Sequence, residues 1–276
     1  MPGLERARRY AVDTVRLSRV AGSRLERARF GLVRTLFVLR ALAGRSGRAR
    51  SVTVSEGQRR FRFCLTDAAD FEVLREVFVE REYELDLDWE PELILDVGSN
   101  IGATIGFFRA RYPRARIVGL EPDPRAFARL QANVGGLDGV RVLKVAAAAT
   151  NGRRPFYPAA STWLSSLNPS ARTGEEPIEV ETRTLDSLLG ELGLEHVDLL
   201  KIDVEGAEAE ILPGFAGLAK VRAVVGEIHP DIVRDPSVLV RLLEERFELE
   251  VQRPQPDRWR FKGVVPPDGA GRAGSS

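Results

Sequence analysis

Apolar and polar positions along this 276-residue chain change period repeatedly, and each change marks an element. Between Ser51 and Leu65, "SVTVSEG" and "RFRFCL" alternate apolar with polar residues around a short Glu-Gly-Gln turn, which predicts a β-hairpin. From Asp67 to Tyr83, Phe71, Leu74, Val77 and Phe78 recur at intervals of three and four, the period of an amphipathic helix. The pattern then becomes a series of short, nearly continuous apolar runs: "ELILDV", "RIVGLE", "VRVLKVAA", "VDLLKIDV" and "VRAVVGEIH". Such runs belong to parallel strands covered on both faces. Helical stretches, "ATIGFFRARY" and "PRAFARLQANV", separate the first three, so the expected fold is α/β, with a doubly wound, mostly parallel sheet. "FELEVQ" and "RWRFKGV", separated by "RPQPD", predict a closing antiparallel hairpin.

Two segments break this rhythm. Thr150 to Leu185, rich in Pro, Ser and Thr, is too long for a plain connection and is the expected substrate-facing insertion, where Trp163, Ser165 and Ser166 can close over an acceptor, with Trp163 as a plain core anchor the open alternative. Before the hairpin, Leu25, Leu32, Leu36 and Leu39 fall at helical spacings among arginines, giving a basic amphipathic helix. Its most apolar stretch, Phe30 to Gly44, is interrupted by Arg34 and Arg40 and falls short of the roughly 20 apolar residues that span a bilayer. This helix is expected to pack on the domain or on a second subunit, with contact to anionic lipid as the sharper alternative. "GRSGRAR" reads as a linker. The expected organisation is an arm and linker over 1–50, a catalytic domain over 51–265 and a disordered tail over 266–276.

Charge sharpens that division. Residues 1–50 hold 13 arginines against Glu5, Asp13 and Glu26, a net +10, which leaves −9 of the chain's +1 for the remainder. An acidic domain is not expected to bind nucleic acid. The single cysteine, Cys64, excludes an internal disulfide and a thiolate metal cluster, so a cytoplasmic location is expected, with membrane association left open by the arm.

The first strand runs into Gly98-Ser99-Asn100-Ile101-Gly102. A dinucleotide turn carries a second glycine where Asn100 stands, so a pyrophosphate is poorly accommodated and a nicotinamide oxidoreductase is the disfavoured alternative. Asp96, beside the turn, repels phosphate but can accept a hydrogen bond from a ligand's ammonium group. Nineteen residues beyond Gly102, Glu121 ends the second strand where a carboxylate can accept both hydroxyls of a ribose. Nucleoside plus amino acid without phosphate describes S-adenosylmethionine. Asp123 is either part of that site or the N-cap of the helix at Pro124. The expected cofactor-binding set is therefore Asp96, Gly98, Asn100, Gly102, Glu121 and Asp123.

"DVGSNIG", "EPDP" followed by "ARLQANV", "DLLKIDVEGAE" with "ILPG" after it, and "GEIH" together resemble the FkbM family of S-adenosylmethionine-dependent methyltransferases, over roughly Ser51 to Gln252. The resemblance implies a class I methyltransferase (Rossmann-like) fold: a seven-stranded sheet with the last strand antiparallel, binding the cofactor at the ends of its first strands. Ser99 departs mildly from the small residue, such as alanine, common in that family. The arm lies outside the resemblance.

Methyl transfer to a hydroxyl needs a positioned base. "KIDVEGAE" brings Lys201, Asp203 and Glu205 to the carboxyl end of the fourth strand, and "GEIHP" brings Glu227 and His229 to the same rim. Asp203, His229, Glu205 and Glu227 are the catalytic candidates, with His229 or Asp203 as the base; Glu205 as a helix cap and Lys201 as the partner of a carboxylate stay open. The four also offer oxygen and imidazole ligands to Mg²⁺, a reading ranked below a hydrogen-bond network, and no metal is assigned. The expected activity is O-methylation of a small-molecule or glycan acceptor on a sugar, lipid or secondary metabolite, an assignment that rests on the family analogy. The rival from another class is a non-catalytic nucleoside-binding module that docks through the arm.

Overall fold

The structure, a computed structural model, describes residues 2–43, 48–159, 165–168 and 176–267. Trp163 and most of the expected tail lie outside the described residues.

Two helices open the chain, α1 (Pro2–Ser18) and α2 (Arg24–Leu42). The second starts in a capping box: the Ser23 hydroxyl accepts from the Glu26 amide and the Glu26 carboxylate accepts from the Ser23 amide. The hairpin follows as β1 (Arg50–Glu56) and β2 (Arg59–Leu65), then α3 (Asp70–Phe78). Helix α2 does not turn Leu25, Leu32 and Leu39 inward. Phe30, Val33 and Phe37 are the buried apolar residues of α2, with Phe30 edge-on to Phe71 of α3 at 5.2 Å. The helix has two apolar sides, and the aromatic one, which buries more area per residue, takes the domain. Arg34, one of the two residues that break the apolar run, is buried with it, donating to Thr14 Oγ1 at 2.8 Å and pairing with Glu72 at 3.3 Å.

The main sheet is built from β3 (Leu93–Val97), β4 (Arg116–Leu120), β5 (Val140–Leu143), β9 (Val197–Ile202), β10 (Val221–Ile228), β11 (Glu248–Gln255) and β12 (Arg258–Val264). Their order is β11-β12-β10-β9-β3-β4-β5, and β12 alone runs antiparallel, inserted between β10 and β11. The closing hairpin and the antiparallel last strand are thus as expected. Helices α4 (Ala103–Arg111), α5 (Pro124–Val134), α6 (Leu185–Glu191), α7 (Glu208–Ile211) and α8 (Pro236–Glu244) complete the α/β order. Alternate residues of each central strand feed opposite layers: Leu93, Leu95 and Val97 pack with α8's Leu239 and Leu243, whereas Ile94, Ile117 and Leu199 join the layer of Phe63, Phe107 and Phe37.

One predicted strand divides. "VRVLKVAA" stays in the main sheet only to Leu143; Ala146–Ala147 form β6, which pairs with β8 (Ile178–Arg183), itself paired with β7 (Gly152–Phe156). The insertion therefore supplies two strands, β7 and β8, of a separate three-stranded sheet at the edge of the site.

Candidate active site

In a doubly wound sheet the connections leave in opposite directions from a central pair of strands, and a crevice opens at their carboxyl ends. Here that pair is β3 and β9. Beyond Val97 the backbone turns through Gly98 at φ 82°. A Cβ on Gly98 would stand 1.9 Å from the Asp203 carbonyl oxygen, so glycine is what lets the two strand ends touch. Asn100 follows at φ 45°, a left-handed conformation that asparagine tolerates better than most residues. Its amide donates to Glu121 Oε2 at 2.8 Å, and the Asp123 amide donates to Glu121 Oε1 at 2.8 Å. Glu121 thus ties the turn after β3 to the turn after β4.

These turns open on a cavity of about 480 Å³ lined by Gly98, Ser99, Asn100, Glu121 and Pro122 on one side and by Asp203, Glu205, Glu227 and His229 on the other. Burial raises the Glu121 carboxyl to about 7 against the hydrogen bonds that favour its charge. A carboxylate has about four lone-pair sites. Two of Glu121's serve the backbone amides, and two remain for a vicinal diol such as a ribose. Pro122, Val145, Ala146 and Ala147 add an apolar wall against which a flat ring can lie. The Asn100 amide, which a pyrophosphate would need, is committed to Glu121. The residues present fit a nucleoside and not a dinucleotide.

Three of the residues expected to bind cofactor stand behind this wall. Asp96 does not line the cavity: it is fully buried, accepts from the Thr104 hydroxyl and lies 3.3 Å from Lys201 Nζ. The ammonium it serves is the protein's own. Lys201 donates in turn to the Gly98 carbonyl at 2.6 Å and so latches the glycine turn. Gly102, at φ 85°, starts α4 where a Cβ would press on Leu130 and Val134, a packing role. Asp123 settles as the N-cap: its Oδ1 accepts from the Arg125 amide at 2.7 Å, and Arg125 Nη2 pairs with Oδ2 at 3.0 Å.

The catalytic candidates do converge. His229 Nε2 lies 3.5 Å from Glu205 Oε1, 3.7 Å from Glu227 Oε2 and 3.9 Å from Asp203 Oδ1, while Nδ1 faces Glu208 Oε1 at 3.3 Å. Burial alone would lower the imidazole, but Glu205 and Glu208 outweigh it and hold His229 protonated well above the usual histidine range. That surrounding favours the charged imidazole over the neutral form that the expected base would need. In its charged form it offsets the carboxylates clustered around it. Burial lifts Glu227 to about 8, with Asp203 adding to the rise, and Glu205 also moves up, chiefly by burial. Glu205, at φ 52°, occupies a tight turn before Gly206. Ligand atoms of Asp203, Glu205 and His229 lie within 4.8 Å of one another, a spacing a divalent cation accepts.

Several residues that the sequence reading passed over complete the site. The Tyr83 hydroxyl donates to Asp203 Oδ2 at 2.9 Å, and burial keeps it a phenol. Arg258 pairs with Glu76 at 2.7 Å and lies 3.8 Å from Glu227, while Arg260 lies 3.5 Å from Glu227. The alternation of Arg258, Arg260 and Lys262 in "RWRFKGV" was the available signal for a charged strand face. Asn133 joins hairpin to turn, accepting from the Cys64 amide at 2.7 Å and donating to the Ile101 carbonyl at 2.9 Å. Ser165 and Ser166, expected from the sequence to close over an acceptor, do reach the site: Ser165 donates to Asp123 at 3.3 Å, and Ser166 donates to the Glu205 carbonyl at 2.6 Å.

Residues 96–252 match the methyltransferase FkbM domain. The chain is 34% identical over 198 residues to the 2-O-methyltransferase NoeI of Sinorhizobium fredii, covering 64% of this chain and 81% of that protein. It is 31% identical over 194 residues to the 31-O-demethyl-FK506 methyltransferase FkbM of Streptomyces tacrolimicus, covering 56% and 73%. With the hexuronic acid methyltransferase AglP of Haloferax volcanii it shares 28% over 158 residues, covering 56% and 63%. With this sheet order, this glycine turn and this match, the chain belongs to the FkbM family of class I methyltransferases, and S-adenosylmethionine is its methyl donor.

Proposed function

We propose that the protein O-methylates a hydroxyl of a sugar, glycan or polyhydroxylated secondary metabolite, with Asp203 as the proton acceptor. One observation carries the chemistry. Asp203 Oδ1 is buried at the cavity wall and makes no hydrogen bond among the described residues, while Oδ2 is fixed by Tyr83. An acceptor-only group held in one orientation with an unused lone pair is what a hydroxyl entering the cleft requires. The 2-O and 31-O positions named for NoeI and FkbM support oxygen as the target atom, and the hexuronic acid named for AglP supports a sugar as the acceptor class.

When bound, S-adenosylmethionine supplies a methyl group on a positively charged sulfur, open to attack by a nucleophile from the opposite side. The chain does the rest. Glu121 would hold the ribose diol, and the Pro122 and Ala146 wall would hold the ring. Asp203 takes the acceptor's proton as its oxygen advances. His229 stands 3.9 Å from Asp203 and 3.5 Å from Glu205 and offsets the negative charge gathered at the rim. Glu227, raised to about 8, is protonated at neutral pH and adds no second negative charge there.

The direct test is incubation with methyl-labelled S-adenosylmethionine and a panel of polyhydroxylated acceptors, followed by mass spectrometry and NMR of the product. One added methyl on oxygen is expected. A label found on nitrogen or carbon, or cofactor binding with no transfer to any acceptor, overturns the proposal.

The state of Glu121 makes cofactor binding pH-dependent. The diol donates to the ionised carboxyl, so protonation below about 7 removes the acceptor and affinity falls with falling pH. Calorimetric titration with S-adenosylhomocysteine should show affinity rising between pH 6 and pH 8, by about tenfold per unit well below the pKa, and flattening above it. Glu121→Gln should bind more weakly and lose this dependence. A flat profile in the unsubstituted protein would remove Glu121 from the ribose site.

A further inference from the structure

The side of α2 turned away from the domain carries Leu25, Leu32 and Leu39, which are 80%, 61% and 57% exposed. Spaced seven apart, they stack along one side of the helix over about 21 Å at 1.5 Å per residue. Half-buried Leu36 falls on the same side. Val12 and Val15 of α1 are exposed as well; among the described residues, Val238 is the one other large apolar side chain so placed. The inner side of α2 is already covered through Phe30, Val33 and Phe37, so the leucine row is not a core face left open by chance. No helix of the described residues is long and apolar enough to cross a membrane.

The charge around the row selects its partner. Arg16, Arg19, Arg24, Arg27 and Arg29 are exposed. Of the arm's carboxylates among the described side chains, Glu26 is engaged by Ser23 and Arg60, which leaves Asp13. A second copy packed across a two-fold axis would set this +10 arm against another. A leaflet of anionic lipid answers both features at once, with phosphates for the guanidinium groups and acyl chains for the leucines beneath them. We infer that α2 lies on an anionic membrane surface, with Leu25, Leu32 and Leu39 inserted and the flanking arginines on the headgroups. This placement is independent of the acceptor assigned above.

The test is sedimentation of the full chain with vesicles of phosphatidylcholine alone and of phosphatidylcholine mixed with phosphatidylglycerol. Binding to the mixed vesicles, weakened by salt, is expected. A triple variant carrying Leu25→Ser, Leu32→Ser and Leu39→Ser should partition about tenfold less or lower still, and Arg24→Gln with Arg29→Gln should lose the salt-sensitive part. Because these leucines are exposed, the triple variant should keep its melting temperature and cofactor binding. Absence of vesicle binding, equal binding to both vesicle types, or unchanged binding by the triple variant overturns the inference. So does an unsubstituted protein that elutes as a dimer which the triple variant dissolves, since the row would then cover a second copy.

Discussion

Asp203→Asn should lower the single-turnover rate of methyl transfer by about a thousandfold, the middle of the range for loss of a positioned base. S-adenosylhomocysteine affinity should change little. Asparagine keeps the size of aspartate, and its carbonyl oxygen still accepts from Tyr83, so the cavity wall stays in place. Lys201 retains Asp96 at 3.3 Å and the Gly98 carbonyl at 2.6 Å, so the glycine turn keeps its latch. What the amide cannot do is take a proton. The split between rate and binding is the informative readout, since a variant that only disturbed the fold would lose both. An unchanged rate under single-turnover conditions would show that another group serves the acceptor. His229→Asn is a poorer probe. It removes the charge that Asp203, Glu205, Glu208 and Glu227 share, and its effect on rate is mixed with the cost of leaving buried carboxylates uncompensated.

The same cluster shows where reading the sequence stops. The parallel strands were legible because burial on both faces forces nearly continuous apolar runs, and the glycine turn was legible because only certain residues tolerate its backbone. Strand ends are fixed by the strands, so Glu121, Asp203, Glu205, Glu227 and His229 could be placed on one rim before any coordinates. Side-chain direction at those ends is a different matter. Asp96 and Asp203 each end a central strand with a lysine nearby, yet one points under the turn and the other into the cleft. Nothing in their spacing distinguishes them. The state of His229 was equally hidden, because it depends on Glu208, which reaches it from α7, and on burial that only the packed fold defines. On the arm, a helix with two apolar sides leaves its orientation to whichever partner surface fits, and the phenylalanines found theirs against Phe71.

Gly98→Ala should destabilise the fold and abolish measurable cofactor binding. The added Cβ would meet the Asp203 carbonyl oxygen at 1.9 Å and its carbon at 3.0 Å, both backbone atoms of the neighbouring strand end. Neither can swing aside as a side-chain terminus would. Overpacking of this kind costs about 1–3 kcal/mol, and holding alanine at φ 82° adds about 1–2 kcal/mol more. A total of about 3 kcal/mol should lower the melting temperature by roughly 6–10 °C in a chain of this size. The alternative to paying that cost in place is for β3 and β9 to part at their ends. That would pull the Gly98 carbonyl off Lys201 and carry the Asn100 amide away from Glu121, so the fold and the ribose site fail together. Gly102→Ala is the matched control. Its Cβ would meet only the side-chain termini of Leu130 and Val134 at 2.9 to 3.1 Å, which can shift, so it should melt higher than Gly98→Ala and keep most of its affinity. Should Gly98→Ala melt like the unsubstituted protein and bind S-adenosylhomocysteine normally, the two strand ends would not be in contact, and the crevice between them would not be where the cofactor is held.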